Sequence, residues 1–168
     1  MPHGGNARHR HDAGRVLSGQ SFAYTLDPRG TNISDMTAIA DHAFLVIERN
    51  GIQGTQANAA DMFKKRFKVD LTKVDADGFV EKTEIVDLLN IADPDDLNRD
   101  GKTTFDVPFV TIESVLRLDS RPLLVIDDDN YPGHGGRTTN GPDRTEFLRV
   151  GLDRTLAVAA VPEPEPMH

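Results

Sequence analysis

Side-chain oxygens recur at alternate positions in one short loop of this sequence, residues 96–101 (DLNRDG). The spacing matches the first six positions of a D-x-N-x-D-G calcium loop, in which alternate oxygens converge on the ion and glycine permits the sharp turn. The twelfth position, where an EF-hand supplies a bidentate glutamate, is Val107. Two interpretations stay open: Asp96, Asn98 and Asp100 bind calcium, or they are simply good turn formers.

A second segment, residues 73–84, has similar spacing but begins with Lys73 at the first ligand position. A lysine there would repel the ion, although Glu84 occupies the twelfth position. A pair of EF-hands would also need amphipathic helices beside both loops, and Pro94 and Pro108 oppose them. The segment is therefore predicted to be a surface turn between strands.

The charge balance limits the partners of the chain. Its 168 residues include 27 acidic and 19 basic side chains, a formal net charge of −8. Nucleic acid is not expected as a partner, because phosphate backbones are held mainly by clustered Lys and Arg. An anionic substrate would need a cation, and a divalent metal bound by carboxylates is the economical choice. The absence of cysteine excludes disulfides, zinc–thiolate sites and a thiol nucleophile.

Strand patterns dominate the elements that must position these groups. Short β-branched or apolar runs bounded by Gly, Pro, Asn and Asp predict strands. They cover residues 15–26, 37–40, 43–49, 66–71, 79–88, 109–116, 122–127 and 145–150. Two close pairs fit hairpins, one across Asp41-His42 and one across Asp119-Ser120. Helical signals are local: residues 58–68 could form one or two helical turns, and residues 84–91 could be helical, although strand is preferred there. The pattern is typical of an all-β sandwich, barrel or propeller.

The two ends of the chain differ from its middle. Residues 1–13, rich in Gly, His and Arg, lack the apolar region of a signal peptide and are expected to form a disordered leader. Residues 157–168 are expected to form a disordered Pro/Glu tail. No apolar run approaches the roughly 18 residues that a membrane-spanning helix needs. The folded domain is predicted to be residues 14–156.

Several segments, taken in order, resemble the phytase-like family, named for the esterase-like activity of phytase. They are residues 32–50 (NISDMTAIADHAFLVIERN), 63–101 (beginning FKKRFKVDL), 109–115 (FVTIESV), 123–132 (LLVIDDDNYP) and 144–150 (RTEFLRV). The resemblance covers roughly residues 14–156 and corresponds to the C-terminal half of a β-propeller. It implies an all-β partial propeller of about two to three four-stranded blades with short helical turns.

The resemblance also implies a metal site made of acidic residues at strand ends near the central channel. The matching positions are Asp35, Glu48, Glu113, Asp127, Asp128, Asn130 and Glu146. Asp127 and Asp129 stand where the family pattern suggests asparagine. Structural alternatives remain, because Glu48 and Glu113 could pair with Arg49 or Arg117, and residues 127–130 could cap a strand.

The chemistry implied by the resemblance is calcium-dependent hydrolysis of a phosphoric ester, either a phosphomonoester or a phosphodiester. Calcium would neutralise phosphate oxygens and lower the pKa of an attacking water, so no protein nucleophile is required. A small-molecule phosphate ester is then the expected substrate, and catalytic side chains are not assigned. The family also implies a secreted or periplasmic location, although no signal peptide is present in this sequence.

The matched segment is too short for a complete propeller, and this leads to several alternative functions. A four-stranded blade takes about 40 to 50 residues and a propeller needs at least four blades, so the matched segment cannot close a ring. The expectation is a truncated hydrolase domain whose activity is impaired or depends on missing blades, with self-association through exposed edges. The alternatives are a non-catalytic calcium-binding or interaction module made of the same blades, and an EF-hand-like calcium protein.

Overall fold

Strands make up nearly all the regular structure of the chain. The computed structural model describes residues 21–118, 121–128, 132, 135–153 and 155–156. The strands of the described part are β1 (Asn32–Ala40), β2 (Ala43–Arg49), β3 (Lys64–Val74), β4 (Val80–Asp87), β5 (Ile91–Ala92), β6 (Thr104–Phe105), β7 (Ile112–Arg117), β8 (Leu123–Asp127) and β9 (Phe147–Val150). A short 3₁₀ turn, Ala59–Asp61, precedes β3. The predicted all-β class is confirmed.

The first four strands form an antiparallel sheet in sequence order, β1-β2-β3-β4, here called the four-stranded sheet. The predicted hairpin across Asp41-His42 joins β1 to β2. Within β2 both faces are apolar: Leu45 and Ile47 leave one face, and Val46 leaves the other, all buried. This pattern is typical of an inner strand that is covered on both sides.

The last three strands form a second antiparallel sheet, β7-β8-β9, here called the three-stranded sheet. Its first two strands make the second predicted hairpin. A two-stranded ladder of β5 and β6 lies between the large sheets in sequence. Strand β1 contacts β7, so the two large sheets pack on each other along a seam.

The hydrophobic core fills this seam in two clusters. One cluster contains Ile39, Ala43, Leu45, Val115, Leu123, Leu152 and Leu156. The other contains Ile47, Leu88, Val107, Phe109, Ile112, Val125 and Val150. Alternate residues of β2 and of β8 point into the seam, because successive side chains on a strand leave opposite faces. The burial of this apolar surface stabilises the packing of one sheet on the other.

Some predicted elements differ from the structure. Of the predicted strand 15–26, the described part makes a single parallel bridge between Ala23 and Phe79, and residues 15–20 lie outside the described part. The helical alternative for residues 84–91 is wrong, since β4 continues to Asp87 in register with β3. Around residues 58–68 one 3₁₀ turn forms before β3 begins at Lys64. For residues 84–91, the pairing of β4 with β3 prevails over local helical preference.

The EF-hand-like interpretation is not supported by the described residues. Residues 73–84 span the end of β3, the β3–β4 connection and the first part of β4, as predicted for a turn between strands. Residues 96–101 connect β5 to β6. No α-helix flanks either loop within the described ranges. The predicted leader and tail lie outside those ranges.

The described strands fall into three sheets, and these do not close into a ring within the described part of the chain. The propeller arrangement therefore stays a prediction. Among the described residues no helix is long and apolar enough to cross a bilayer.

Candidate functional site

Asp35 lies in the seam, where it ties β1 to β7. A register shift between Ile33 and Met36 creates an irregularity in β1 at this point. The Asp35 Oδ2 atom accepts a hydrogen bond from the Val115 backbone N–H at 3.0 Å, and the Thr37 hydroxyl lies 3.1 Å from it. The same hydroxyl is 2.9 Å from the Val115 carbonyl oxygen. Asp35 therefore joins the two sheets.

Glu48 lies on the other face of the four-stranded sheet. Its side chain is fully buried and accepts hydrogen bonds from the Tyr24 hydroxyl at 2.8 Å and from Lys82 Nζ at 2.6 Å. The Asp27 backbone N–H also donates to it. Burial raises the pKa of Tyr24, and the hydrogen bond to Glu48 adds to this effect. The expected structural salt bridge forms, with Lys82 in place of Arg49 or Arg117.

Glu113 is exposed at an irregularity of β7 between Ile112 and Ser114. Its charge acts on Arg49 of the four-stranded sheet: burial lowers the pKa of Arg49, and Glu113 opposes that effect. Glu113 and Asp35 both come from strands that border the seam. Glu48, on the opposite face, is not brought together with them.

Asp127 ends β8 and is the acidic side chain whose environment is most unusual. It is 2% exposed, and its Oδ1 atom accepts the Glu146 backbone N–H at 2.7 Å. Its Oδ2 atom is buried and has no hydrogen-bond partner among the described residues. Burial raises the pKa of Asp127 to about 6, and the nearby charge of Glu146 also raises it. This carboxylate has one fixed oxygen and one unsatisfied oxygen.

The carboxylate of Glu146 is paired with Arg137. Arg137 Nε donates to Glu146 Oε1 at 2.6 Å, and Nη2 donates to Oε2 at 2.9 Å. Arg137 Nη1 donates to Asp106 Oδ1 at 3.0 Å. The guanidinium carbon also lies 4.7 Å from the Phe105 ring centre and 5.3 Å from the Phe109 ring centre. Arg137 thereby connects Glu146 to Asp106 across an aromatic surface.

Asp143 fixes the loop that carries Arg137. Its buried carboxylate accepts the Gly136 N–H at 2.7 Å and the Arg137 N–H at 3.1 Å. A Cβ at Gly136 would collide with the Phe109 ring, so only glycine fits this close approach. Asp106, Arg137 and Asp143 were not predicted from the sequence. The signal available was one arginine beside a Gly-Gly pair, and its acidic partners lie far away in sequence.

Asp128 follows Asp127 and is exposed. Its backbone N–H donates to the Thr111 carbonyl at 2.8 Å, and its carbonyl accepts the Thr111 hydroxyl. These bonds extend the β7–β8 pairing by one residue, as the strand-capping alternative anticipated. Asn130 and Asp129 lie outside the described residues.

The loop of residues 96–101 uses its side chains to form a turn. Asp96 accepts the backbone N–H of Asp100 at 2.9 Å and of Gly101 at 3.1 Å, and Asn98 accepts the Asp100 N–H at 3.4 Å. The backbone N–H of Lys102 donates to Asp100 and lowers the pKa of Asp100. The φ angles of Asp96 and Arg99 are 47° and 59°. These bonds support the turn-forming interpretation of the sequence pattern.

Metal ligation stays a prediction for every residue expected to take part in it. Among the residues described, no three His, Asp or Glu side chains form a group that could hold a metal ion. Asp127 and Glu146 are brought together, whereas Asp35, Glu48 and residues 96–101 occupy other places in the fold.

Comparison with known proteins decides the family. The family model Phytase-like, described as esterase-like activity of phytase, matches residues 7–131. The chain belongs to this phytase-like family. No curated protein and no solved structure gave a significant match. The match to the phytase-like family includes Asp35, Glu48, Glu113 and Asp127 and ends before Arg137 and Glu146.

Proposed function

We propose that this phytase-like domain hydrolyses a phosphoric ester, a monoester or a diester, with calcium bound at the end of β8. The observation that carries the proposal is the Asp127 carboxylate, buried and with an unsatisfied Oδ2 atom. Strongly perturbed carboxylates are typical of functional sites. Family membership supplies the reaction class.

The donor chemistry at this end of the seam suits calcium. Calcium binds six to eight hard oxygen ligands, mostly carboxylates, carbonyls and waters. A cation beside Asp127 Oδ2 would favour the ionised carboxylate and so oppose the effect of burial, which raises the pKa of this carboxyl. The neighbouring carboxylate of Asp128 offers further oxygens, and Asn130 follows two residues later in the sequence. We assign Asp127, Asp128 and Asn130 to the site on this basis.

Glu146 acts in the proposed site through its backbone. Its N–H holds Asp127 Oδ1, which fixes the orientation of the carboxylate and leaves Oδ2 for a ligand. Both of its carboxylate oxygens are engaged by Arg137. Calcium, when bound, supplies positive charge that stabilises phosphate oxygens and a Lewis acid that makes a bound water more acidic. The chain itself supplies the fixed carboxylate and the buried surroundings that strengthen its electrostatic interactions.

A second function, a non-catalytic calcium-binding module, is favoured by one observation. Arg137 already pairs with Glu146, whose charge acts on Asp127, and with Asp106. A site with fewer available carboxylates would hold a metal for stability without activating a water. Calcium binding without hydrolysis is the outcome that separates this function from the first.

The sheets suggest how the domain is built. A four-stranded antiparallel meander is the unit of a propeller blade. We propose that the four-stranded sheet is one blade and that the three-stranded sheet belongs to the next. Family membership is also the basis for proposing a secreted or periplasmic location.

Calcium titration by calorimetry tests the proposed site. Asp127→Asn keeps the shape of the side chain and removes its charge, and Asp96→Asn makes the same change in the β5–β6 loop. The expected result is loss of calcium binding in Asp127→Asn and unchanged binding in Asp96→Asn. The opposite pattern would move the metal to the D-x-N-x-D-G loop and contradict the proposal.

A further inference from the structure

A second charged group is enclosed in the seam, and it is cationic. Arg66 lies in β3 and is 0% exposed. Its Nε, Nη1 and Nη2 atoms have no hydrogen-bond partner among the described residues. A guanidinium carries five N–H donors and remains charged at neutral pH. A buried charge with unused donors is costly, so the structure calls for an anion at this position.

Two more cations lie beside Arg66. In the register of the sheet Arg66 is opposite Ile47, and Lys64 is opposite Arg49. Residues two apart on a strand share a face, and directly paired residues have Cβ atoms about 5 Å apart. Since Ile47 packs into the seam, the side chains of Arg66, Lys64 and Arg49 line the same face. The seam therefore contains a row of three cations, here called the basic row.

The basic row is not neutralised by the acids that act on it. Asp35 acts on Arg66, and Glu113 acts on Arg49. The hydrogen bonds of Asp35 go to Val115 and Thr37. Lys64 is 0% exposed, and its Nζ donates to the Asn50 carbonyl at 2.5 Å. Three cations thus face two acids, and the most deeply buried cation has no hydrogen-bonded partner in the described part of the chain.

The basic row also has an opening. Arg66 and Lys64 are fully buried, whereas Arg49, at the end of β2, is only partly buried. Arg49 Nε donates to the Ser34 hydroxyl, which leaves its two terminal nitrogens for another partner. The row therefore runs from the interior of the seam towards its surface at Arg49.

We propose that the basic row binds a small inorganic oxyanion of the phosphate or sulfate type, enclosed between the two sheets. The planar guanidinium fork of Arg66 matches two oxygens of a tetrahedral anion, and Lys64 and Arg49 add charge. The full burial of Arg66 and Lys64 favours a bare ion over an ester with a bulky organic group. This inference is independent of the proposed hydrolase function.

Thermal unfolding tests the inference, because a ligand that binds only the folded state raises the melting temperature saturably. Melting is followed by circular dichroism at pH 7 with EGTA present, while sodium phosphate replaces sodium chloride at constant ionic strength. We expect the wild-type melting temperature to rise by about 2 to 4 °C, the shift that modest ligand stabilisation gives a domain of this size class. Calorimetry with inorganic phosphate should give one site per chain.

Variants locate the binding. Arg66→Met should abolish the phosphate-dependent shift, and the control Lys73→Met, at the exposed end of the same strand, should retain it. A shift of equal size in Arg66→Met would mean an adventitious ion only and would overturn the inference, as would the absence of a shift in the wild type. An equal shift with glycerol phosphate would assign the site to an ester phosphoryl group, against the inference.

A second pair of variants covers the possibility that Arg66→Met does not fold. Arg66→Lys keeps the positive charge but loses the planar guanidinium group that can bind two oxygens. Lys64→Met removes a neighbouring cation. Each should weaken phosphate affinity by about tenfold, the loss expected when a charged hydrogen-bonding partner is removed. Unchanged affinity in both variants would overturn the inference. Because calcium is absent from these experiments, their outcome does not depend on the hydrolase proposal.

Discussion

Arg137 and Glu146 form a two-point ion pair, with Nε 2.6 Å from Oε1 and Nη2 2.9 Å from Oε2. The pair lies next to Asp127, whose Oδ1 atom is held by the backbone N–H of Glu146. Arg137 also reaches Asp106 and thus balances two acids at once. The orientation of the candidate calcium ligand consequently depends on an arginine that lies outside the family match.

Arg137→Met should destabilise the fold by about 1 to 3 kcal/mol, because Glu146 and Asp106 would lose a charged hydrogen-bonding partner. The free acids should also raise the pKa of Asp127 further, since like charges disfavour its ionised form. Urea unfolding measures the first effect, with Arg99→Met in the β5–β6 loop as the control. Equal stability of the two variants would contradict this role of Arg137.

Gly136→Ala should lower the free energy of unfolding by about 1 to 3 kcal/mol, since the new methyl group collides with the Phe109 ring and the core is closely packed. Gly51→Ala is the matched control, because nothing lies within 4 Å of a Cβ placed there. Urea unfolding of both variants makes the comparison. An equal or larger loss in Gly51→Ala would contradict the close packing of Gly136 against the Phe109 ring.

Glu48→Gln should destabilise the domain by about 1 to 3 kcal/mol and leave calcium affinity unchanged. The amide keeps the size of the side chain but removes the charge that Lys82 and Tyr24 contact. Glu48 lies on the face of the four-stranded sheet that points away from the seam. Chemical unfolding and calcium calorimetry on the same preparation separate the two effects, and lost calcium affinity with unchanged stability would restore Glu48 as a ligand.

The pH dependence of stability should reveal the titration of the buried Lys64 ammonium group. Burial, with a further contribution from the charge of Arg49, lowers the pKa of Lys64 to about 8 from its ordinary 10.5. Between these values the unfolded chain binds more protons than the folded one, so stability should rise with pH, by at most about 1.4 kcal/mol per pH unit.

Urea unfolding between pH 7.5 and 9.5 measures this slope. Lys64→Met should reduce it, and Lys68→Met should not. A slope that is the same in the wild type and in Lys64→Met would contradict the assigned burial of the ammonium group.

Sequence patterns anticipated the strands better than the site. The β2 run AFLVIER and the two hairpins follow from alternation and turn residues, which are local properties. The partners of the acids are not local. Lys82 is 34 positions from Glu48, and Arg137 is 31 positions from Asp106, so only the folded chain brings each pair together.

The burial of Lys64 and Arg66 could not be predicted from local sequence patterns either. Residues 63–71 contain Lys64 and Arg66 at positions where the alternation of a strand points both side chains into the seam. Single-sequence patterns predict charged side chains on exposed faces, because burying an unpaired charge is costly. Such a departure from the pattern is where a functional or ligand-linked role is expected.

Ester hydrolysis with and without calcium tests whether this domain is a calcium-dependent phosphoric-ester hydrolase. The wild type and Asp127→Asn are assayed with p-nitrophenyl phosphate and bis(p-nitrophenyl) phosphate, in calcium and in EGTA. The account predicts calcium-dependent release of nitrophenol from at least one ester by the wild type, reduced at least about 100-fold in Asp127→Asn, the size of effect typical for loss of a key electrostatic group. Calcium binding without any hydrolysis, or hydrolysis unaffected by EGTA or by Asp127→Asn, would contradict it.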